Sequence, residues 1–344
     1  MPWSLLGANH AKEALSGMLK NGRLPHALLI SGPAGGGKRT MALDVAKAAN
    51  CLSPDPDGSP CQECISCHKI DSFNHPDVTL IAPSGKGAVI PIDTIRELRE
   101  RLNFKPYEGK TKVTIISFAE NLSQDSGGAL LKTLEEPSEN NLIILTTVSS
   151  SMVMGTLVSR CVELKLPPLP RRIVLKAVKE SSMLPENVPE LIAGIACGAM
   201  GRAMDMDIER AIWIWRALER IFGASSTTKR LIRAKEFTKE FLSIMEEAKV
   251  ERAQDDEELW ENELLNLFLV ELRLWFRDAA VLKATREPKL LEGPTRTAAM
   301  ERYIKKLHLS DLKTYEGAIS RLKDSISRYI RADLALESFW ISVL

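Results

Sequence analysis

Apolar positions along this chain follow two patterns. In the first half, short apolar-rich runs at 27–30, 78–81, 113–116 and 142–147, and a further strand expected at 162–166, alternate with segments whose apolar residues recur every three or four positions. Runs of that length read as strands buried on both faces, and the 3.6-residue period between them reads as helix. Ile92, Ile95, Leu98 and Leu102 form one such stripe, with Arg96, Glu97, Arg99 and Glu100 outside it. Leu15, Met18 and Leu19 mark an earlier helix that ends at Asn21-Gly22, and a short helix over 129–136 is stopped by Pro137. Strands alternating with helices predict an α/β domain built on a parallel, doubly wound sheet flanked by helices.

Past the Pro167-Pro168-Leu169-Pro170 break the strand pattern ends. Helices are expected over 173–182 and 188–197, and a third begins at Gly201-Arg202. From about residue 211 onward the pattern is wholly helical. Trp213, Trp215, Leu218 and Ile221, then Leu264, Leu265, Phe268, Leu269 and Leu272, then Leu322, Ile326, Ile330, Leu334 and Leu336 form stripes suited to a core and to subunit packing. The acidic stretch 246–263 reads as a solvated helix face, Gly293-Pro294 as a turn, and 83–87 as a loop. The expected organisation is three domains: an α/β domain over 1–167, a small helical lid over 168–210 and an all-α domain over 211–344.

Length and charge agree with that division and narrow the function. A chain of 344 residues can bury two or three cores. Its 46 basic residues against 45 acidic ones leave a formal charge of +1, so autonomous, high-affinity nucleic-acid binding is not implied. There is no apolar run of membrane-spanning length, and the first residues lack the pattern of a signal peptide, which gives the expectation of a soluble, cytoplasmic chain without a membrane partner.

Candidate chemistry begins at Gly32-Pro33-Ala34-Gly35-Gly36-Gly37-Lys38-Arg39-Thr40, placed between the first strand and a helix carrying Met41, Leu43, Val45 and Ala46. That context is the one a phosphate-binding P-loop requires: Gly32, Gly35 and Gly37 let backbone N–H groups converge on a phosphate, and Lys38 supplies a point charge. The magnesium-binding hydroxyl expected after the lysine is absent, since Arg39 stands there. Thr40 does not replace it, because one residue along a helix is a rotation of about 100°. At the end of the strand over 113–116, where a P-loop ATPase carries an acid pair for magnesium and water, the chain has Ser117 and Phe118. Glu120 lies past the strand end and is not expected to substitute.

Six cysteines are present, and Cys51, Cys61, Cys64 and Cys67 crowd into one stretch at C-x9-C-x2-C-x2-C spacing. Four thiolates can close a tetrahedron around a structural Zn²⁺, leaving no open position for catalysis. An iron–sulfur site and free thiols are the alternatives, and His68 is a possible substitute ligand.

With these residues in view, the chain resembles the AAA+ subunits of the bacterial DNA polymerase III clamp loader, most closely the delta prime branch. PWSLLGANHAKEAL, GRLPHALLISGPAGGGKRTMA, the cysteine knuckle at about 50–70, HPDVTLI, FKPYEGKTKVTIIS, ALLKTLEEPSENNLIILTT, TLVSRC and RYIRADLALESF carry the resemblance in order. It implies an AAA+ domain with a zinc module, a lid and a helical collar for assembly with tau/gamma and delta subunits, the sliding clamp and primer–template DNA. It also implies that Arg160 of Ser159-Arg160-Cys161 is an arginine finger reaching a neighbour's ATP. Arg39, Ser117 and Phe118 depart from the hydrolysing subunits and imply a chain without turnover of its own; whether Gly32, Gly35, Gly37 and Lys38 still bind ATP, without Mg²⁺, stays open. The rival readings are an autonomous P-loop ATPase, a motor subunit of the tau/gamma type, and a zinc-dependent nucleic-acid-binding protein.

Overall fold

The computed structural model describes residues 3–83, 89–181, 184–185, 187–251, 257–293, 298–327 and 331–344. The expected loop at 84–87, Pro294 of the expected turn, Ser182, Ile330 and part of the acidic stretch lie outside them. Two compact units form: Met1–Leu169 joined by Ala199–Arg202, and Pro170–Gly198 with Ala203–Leu344. The segment expected as a lid is divided between them.

The first unit runs α1 (Asn9–Lys20), β1 (Ala27–Ser31), α2 (Lys38–Asn50), α3 (Ile65–Asp71), β2 (Val78–Ile81), α4 (Ile92–Leu102), β3 (Lys112–Ile116), α5 (Gln124–Glu135), β4 (Asn141–Thr147), α6 (Gly155–Val158) and β5 (Val162–Lys165). The strands form a parallel sheet in the order β2-β3-β4-β1-β5. Leu29 pairs with Leu145 on one side and Glu163 on the other, which makes β1 an interior strand whose C-terminal end leads into the loop that follows.

Alternation along the strands divides the apolar side chains between two faces. Leu28, Ile30, Val113, Ile115, Leu142 and Ile144 meet Leu15 of α1, Met41 and Val45 of α2, and Ile70 of α3. Leu29, Ile116, Ile143 and Leu145 meet Ile95, Leu98 and Leu102 of α4, Leu130 and Leu134 of α5, and Leu157 of α6. Burial on both faces explains why the interior strands β1, β3 and β4 read as apolar-rich runs, whereas the edge strand β5 carries Glu163 and Lys165.

Helix α5 starts five residues earlier than the apolar pattern suggests. The Ser123 hydroxyl accepts from the Ser126 N–H at 3.1 Å and caps it. Gly127-Gly128 hid that first turn from a propensity reading, yet Gly127 has a packing reason: a Cβ there would lie 2.3 Å from Met154 Sδ.

The second unit is helical: α7 (Arg171–Ser181), α8 (Val188–Ala196), α9 (Met200–Asp205), which begins in the first unit, α10 (Ile208–Phe222), α11 (Thr227–Glu251), α12 (Glu257–Thr285), α13 (Ala298–Ile304), α14 (Leu312–Ser327) and α15 (Ala332–Val343). Its core centres on Trp275 of α12, with Phe222 stacked at 5.6 Å and Trp215 edge-on at 5.5 Å. Trp340 of α15 donates from Nε1 to Thr238 Oγ1 at 3.0 Å, which ties the last helix to α11. Among the described residues the predicted stripes are buried there, apart from Trp213 and Ile326, which are partly buried, and Leu334, which is 52% exposed. Among the described residues no helix is long and apolar enough to cross a membrane.

Candidate functional site: a P-loop, a cysteine knuckle and an exposed arginine

The chain leaves β1 at Ser31 and turns through the glycine loop into α2. Gly35 and Gly37 have φ of 72° and 82°, values an L side chain rarely adopts, and the Gly36 N–H donates to Pro33 O at 3.0 Å. Lys38 opens α2 but folds back on its own loop, donating from Nζ to Gly32 O at 2.8 Å and Pro33 O at 2.9 Å. Burial pulls its pKa down, an effect partly offset by the Glu120 carboxylate. The structure therefore brings Glu120 into the electrostatic range of Lys38, although it lies outside β3 in a short turn over Ala119–Asn121. One of its carboxyl oxygens is buried without a hydrogen-bond partner among the described residues.

The two glycines with positive φ are each closely covered. A Cβ on Gly37 would lie 2.1 Å from Leu5 Cδ1, and one on Gly35 would lie 2.7 Å from the Arg202 backbone nitrogen. The Gly201 N–H donates to Gly35 O at 2.8 Å. The Arg39 guanidinium sits 4.8 Å from the centre of the Phe73 ring, a cation–π contact that holds it on α3's flank. Thr40 is exposed, Ser117 is buried at the end of β3, and Phe118 is half-exposed in a left-handed conformation.

Arg160 follows α6, whose last turn places its N–H against Leu157 O at 3.1 Å. Its guanidinium donates to Thr156 O at 2.9 Å and to Glu135 Oε1 at 2.5 Å, with about a third of the side chain left exposed.

The knuckle lies between α2 and α3. Sγ atoms of Cys51, Cys61, Cys64 and Cys67 all fall within 4.8 Å of one another. Cys51 stands 3.4, 3.9 and 3.9 Å from Cys61, Cys64 and Cys67. Four sulfurs bonded to one Zn²⁺ at about 2.3 Å stand about 3.8 Å apart in a tetrahedron, so the donor set fits such an ion. Backbone N–H groups of Cys61 and Cys64 point at the sulfurs of Cys51 and Cys61. Burial opposes ionisation of Cys64, but N–H donors and the Cys67 and Cys61 thiols outweigh it and bring its pKa down to about 6. His68 and Cys197 are exposed and Cys161 is half-buried, and all three lie outside the group.

Residues 7–170 match the family described as DNA polymerase III, delta subunit. Relatives include the tau subunit of DNA polymerase III from Bacillus subtilis, 34% identical over 60% of this chain and 37% of its own length. The delta' subunit of the same organism is 33% identical over 53% of this chain and 54% of its own length. Among solved structures, a gamma-subunit-related protein of Thermotoga maritima aligns over 97% of both chains at 17% identity, with a TM-score of 0.49.

The similarity to clamp-loader subunits of DNA polymerase III thus falls on residues 7–170, just under half of the chain. The chain spans about a third to a half of the length of these curated relatives.

Three features around the P-loop were missed by the reading of the sequence. Asp44 is fully buried and accepts from the Ser4 N–H and hydroxyl, both at 2.7 Å, and from Gln62 Nε2 at 3.2 Å. One carboxylate thus ties the N-terminal segment, α2 and the cysteine knuckle together. Leu5 is placed over Gly37 by that anchor, and Gly201 arrives over Gly35 from a distant part of the chain. A buried Asp among α2's apolar residues was the available clue to the first feature; the other two had none.

Proposed function

We propose that this chain is a delta prime-type subunit of the DNA polymerase III clamp loader, without ATP hydrolysis of its own. In this reading it assembles with tau/gamma and delta subunits, helps place the sliding clamp on primer–template DNA, and supplies Arg160 to a neighbouring subunit's ATP site. The observation that carries the reading is at the P-loop: Arg39 lies against Phe73, and Lys38 is satisfied by Gly32 and Pro33 carbonyls. β3 ends in Ser117-Phe118 where a metal-binding acid pair is needed. Phosphoryl transfer depends on a metal bridging the phosphates and on a positioned water, and each lacks its usual holder here. Arg160, partly exposed at the end of a helical turn, suits a role in trans. The four cysteines serve in this reading as a structural Zn²⁺ site that fixes the knuckle against α2.

A second reading, a hydrolysing subunit of the tau/gamma type, draws on Glu120, whose carboxylate acts on Lys38. ATP turnover separates the two. The purified chain should show none above background, while a mixture with the motor and delta subunits should turn over ATP in response to clamp and primed DNA. Turnover by the chain alone that disappears in Lys38→Ala would establish the second reading and remove the first. No stimulation in the mixture would remove the clamp-loading role itself.

A further inference from the structure

The helical unit contains a cleft of about 720 Å³ that the proposed function leaves unused, bordered by α10, the first turns of α11, and α13. α10 is amphipathic: Ile214, Trp215, Leu218 and Ile221 face the core. Glu209, Trp213, Arg216 and Arg220, spaced by three and four residues, line the cleft. Arg233 of α11 and Arg302 of α13 complete a ring of four guanidinium groups against the carboxylates of Glu209 and Glu219.

The ring is not balanced from within. The guanidiniums of Arg216, Arg220 and Arg302 make no hydrogen bond or ion pair among the described residues, while Arg233 donates to the Arg220 carbonyl oxygen. Four like charges around one opening repel each other, and an entering anion offsets that repulsion. Arginine is also the side chain whose planar fork matches a carboxylate or phosphate in two parallel hydrogen bonds. All the surrounding elements are helices, so the groups are held on rigid supports.

Lining and volume select among anions. The cleft falls within the range of about 300–1,000 Å³ usual for ligand sites. Ile212, Trp213 and Ala299 provide an apolar wall. A nucleic-acid strand is a poor fit: its unbroken row of phosphates would pass Glu209 and Glu219. Trp213 is also a poor stacking platform, since one face is already stacked on Phe237 at 5.0 Å and its Nε1 is engaged by Glu240 at 2.9 Å. A peptide can set carboxylates against arginines, apolar side chains against the wall, and neutral groups opposite the two glutamates. We propose that this cleft binds an acidic segment of a partner protein in which carboxylates are interspersed with apolar side chains.

Fluorescence anisotropy with the full chain tests this. The probes are a labelled peptide of Glu-Glu-Leu repeats, its Gln-Gln-Leu counterpart and a labelled oligo-dT. The acidic peptide should bind, weaken as salt rises, and lose at least about tenfold in affinity in Arg216→Ala/Arg302→Ala. The Gln peptide should not bind. An Arg216→Lys/Arg302→Lys protein, which keeps the charge and loses the fork, should fall between the two. Both arginines are exposed, so equal melting temperatures are expected and would tie any loss of binding to the cleft itself. Undiminished binding by the alanine protein, or no binding by the wild-type chain, overturns the proposal. Oligo-dT binding that depends on the same two arginines while the peptide does not bind would reassign the cleft to nucleic acid.

Discussion

Glu135 Oε1 lies 2.5 Å from the Arg160 guanidinium, joining the last residue of α5 to the turn after α6. About a third of the Arg160 side chain and half of the Glu135 side chain meet solvent, so the pair is screened and of the kind worth about 0.2–1 kcal/mol. That is too little to hold a guanidinium away from a triphosphate. Under the proposed function, the pair aims Arg160 in the free chain and gives way when a partner's triphosphate is presented.

Arg160→Ala is therefore expected to fold and assemble normally, with a stability change within about 0.5 kcal/mol. Complexes rebuilt with it should lose part of their DNA- and clamp-stimulated ATPase, because a finger is worth on the order of 10³–10⁵ at the site it serves and nothing at the others. Glu135→Ala should leave the maximal rate within about twofold, as a solvent-screened pair implies. Steady-state ATPase, with size-exclusion chromatography to confirm equal assembly, checks both. Equal rates for wild type and Arg160→Ala would remove the trans role.

Metal analysis of the purified chain should find one Zn²⁺, held by Cys51, Cys61, Cys64 and Cys67. Cys64→Ser or a strong chelator should remove it and expose the segment between α2 and α3 to limited proteolysis. The helical unit should keep its melting transition, because a metal clip contributes mainly to the segment it closes. An iron–sulfur absorption band, or full protease resistance without zinc, would contradict this assignment.

Asp44→Ala should cost about 2–4 kcal/mol, since it removes the buried acceptor of the Ser4 N–H and hydroxyl and of Gln62 Nε2, and one of the two carboxylates beside the buried Lys47. Trp3 is only 7% exposed, so release of the N-terminal segment should shift tryptophan emission to the red. Thermal denaturation and emission spectra measure the two effects; a loss of stability without the shift would mean that Asp44 acts through Lys47 and not through the N-terminal anchor.

Glu271 of α12 is fully buried, and neither carboxyl oxygen has a hydrogen-bond partner among the described residues. Burial raises its pKa well above the ordinary carboxylate value. A raised folded-state pKa means that folding retains the proton: the contribution is intact below the unfolded value of about 4.3 and is lost as pH rises from there through the folded value. Glu271→Gln, which cannot ionise, should therefore have a higher melting temperature than wild type at neutral pH, with the difference closing near pH 4. Melting curves across that range test it, and a constant difference would mean that Glu271 does not titrate on unfolding.

The chain's local patterns determined much of the fold. Strands expected at 27–30, 78–81, 113–116, 142–147 and 162–166 stand within one residue of β1, β2, β3, β4 and β5, and for the interior strands β1, β3 and β4 the reason is that a strand covered on both faces is apolar along most of its length. The glycine loop was legible because positive φ and close approach leave few alternatives to glycine, and the knuckle because its cysteines are near neighbours in sequence. Tertiary structure decided what spacing does not encode. The order β2-β3-β4-β1-β5, Glu120 acting on Lys38, Leu5 over Gly37 and Gly201 over Gly35 each depend on which distant segments the sheet brings together. The arginine cleft is of the same kind: Arg216, Arg233 and Arg302 are unremarkable surface residues on three helices until packing of the apolar faces of α10, α11 and α13 turns them toward one opening. A hydrogen bond or charge pair between residues far apart in the chain leaves no periodic trace, because the chain between them only has to be long enough to allow the contact, whereas burial on a regular helix or strand repeats with the geometry of the element.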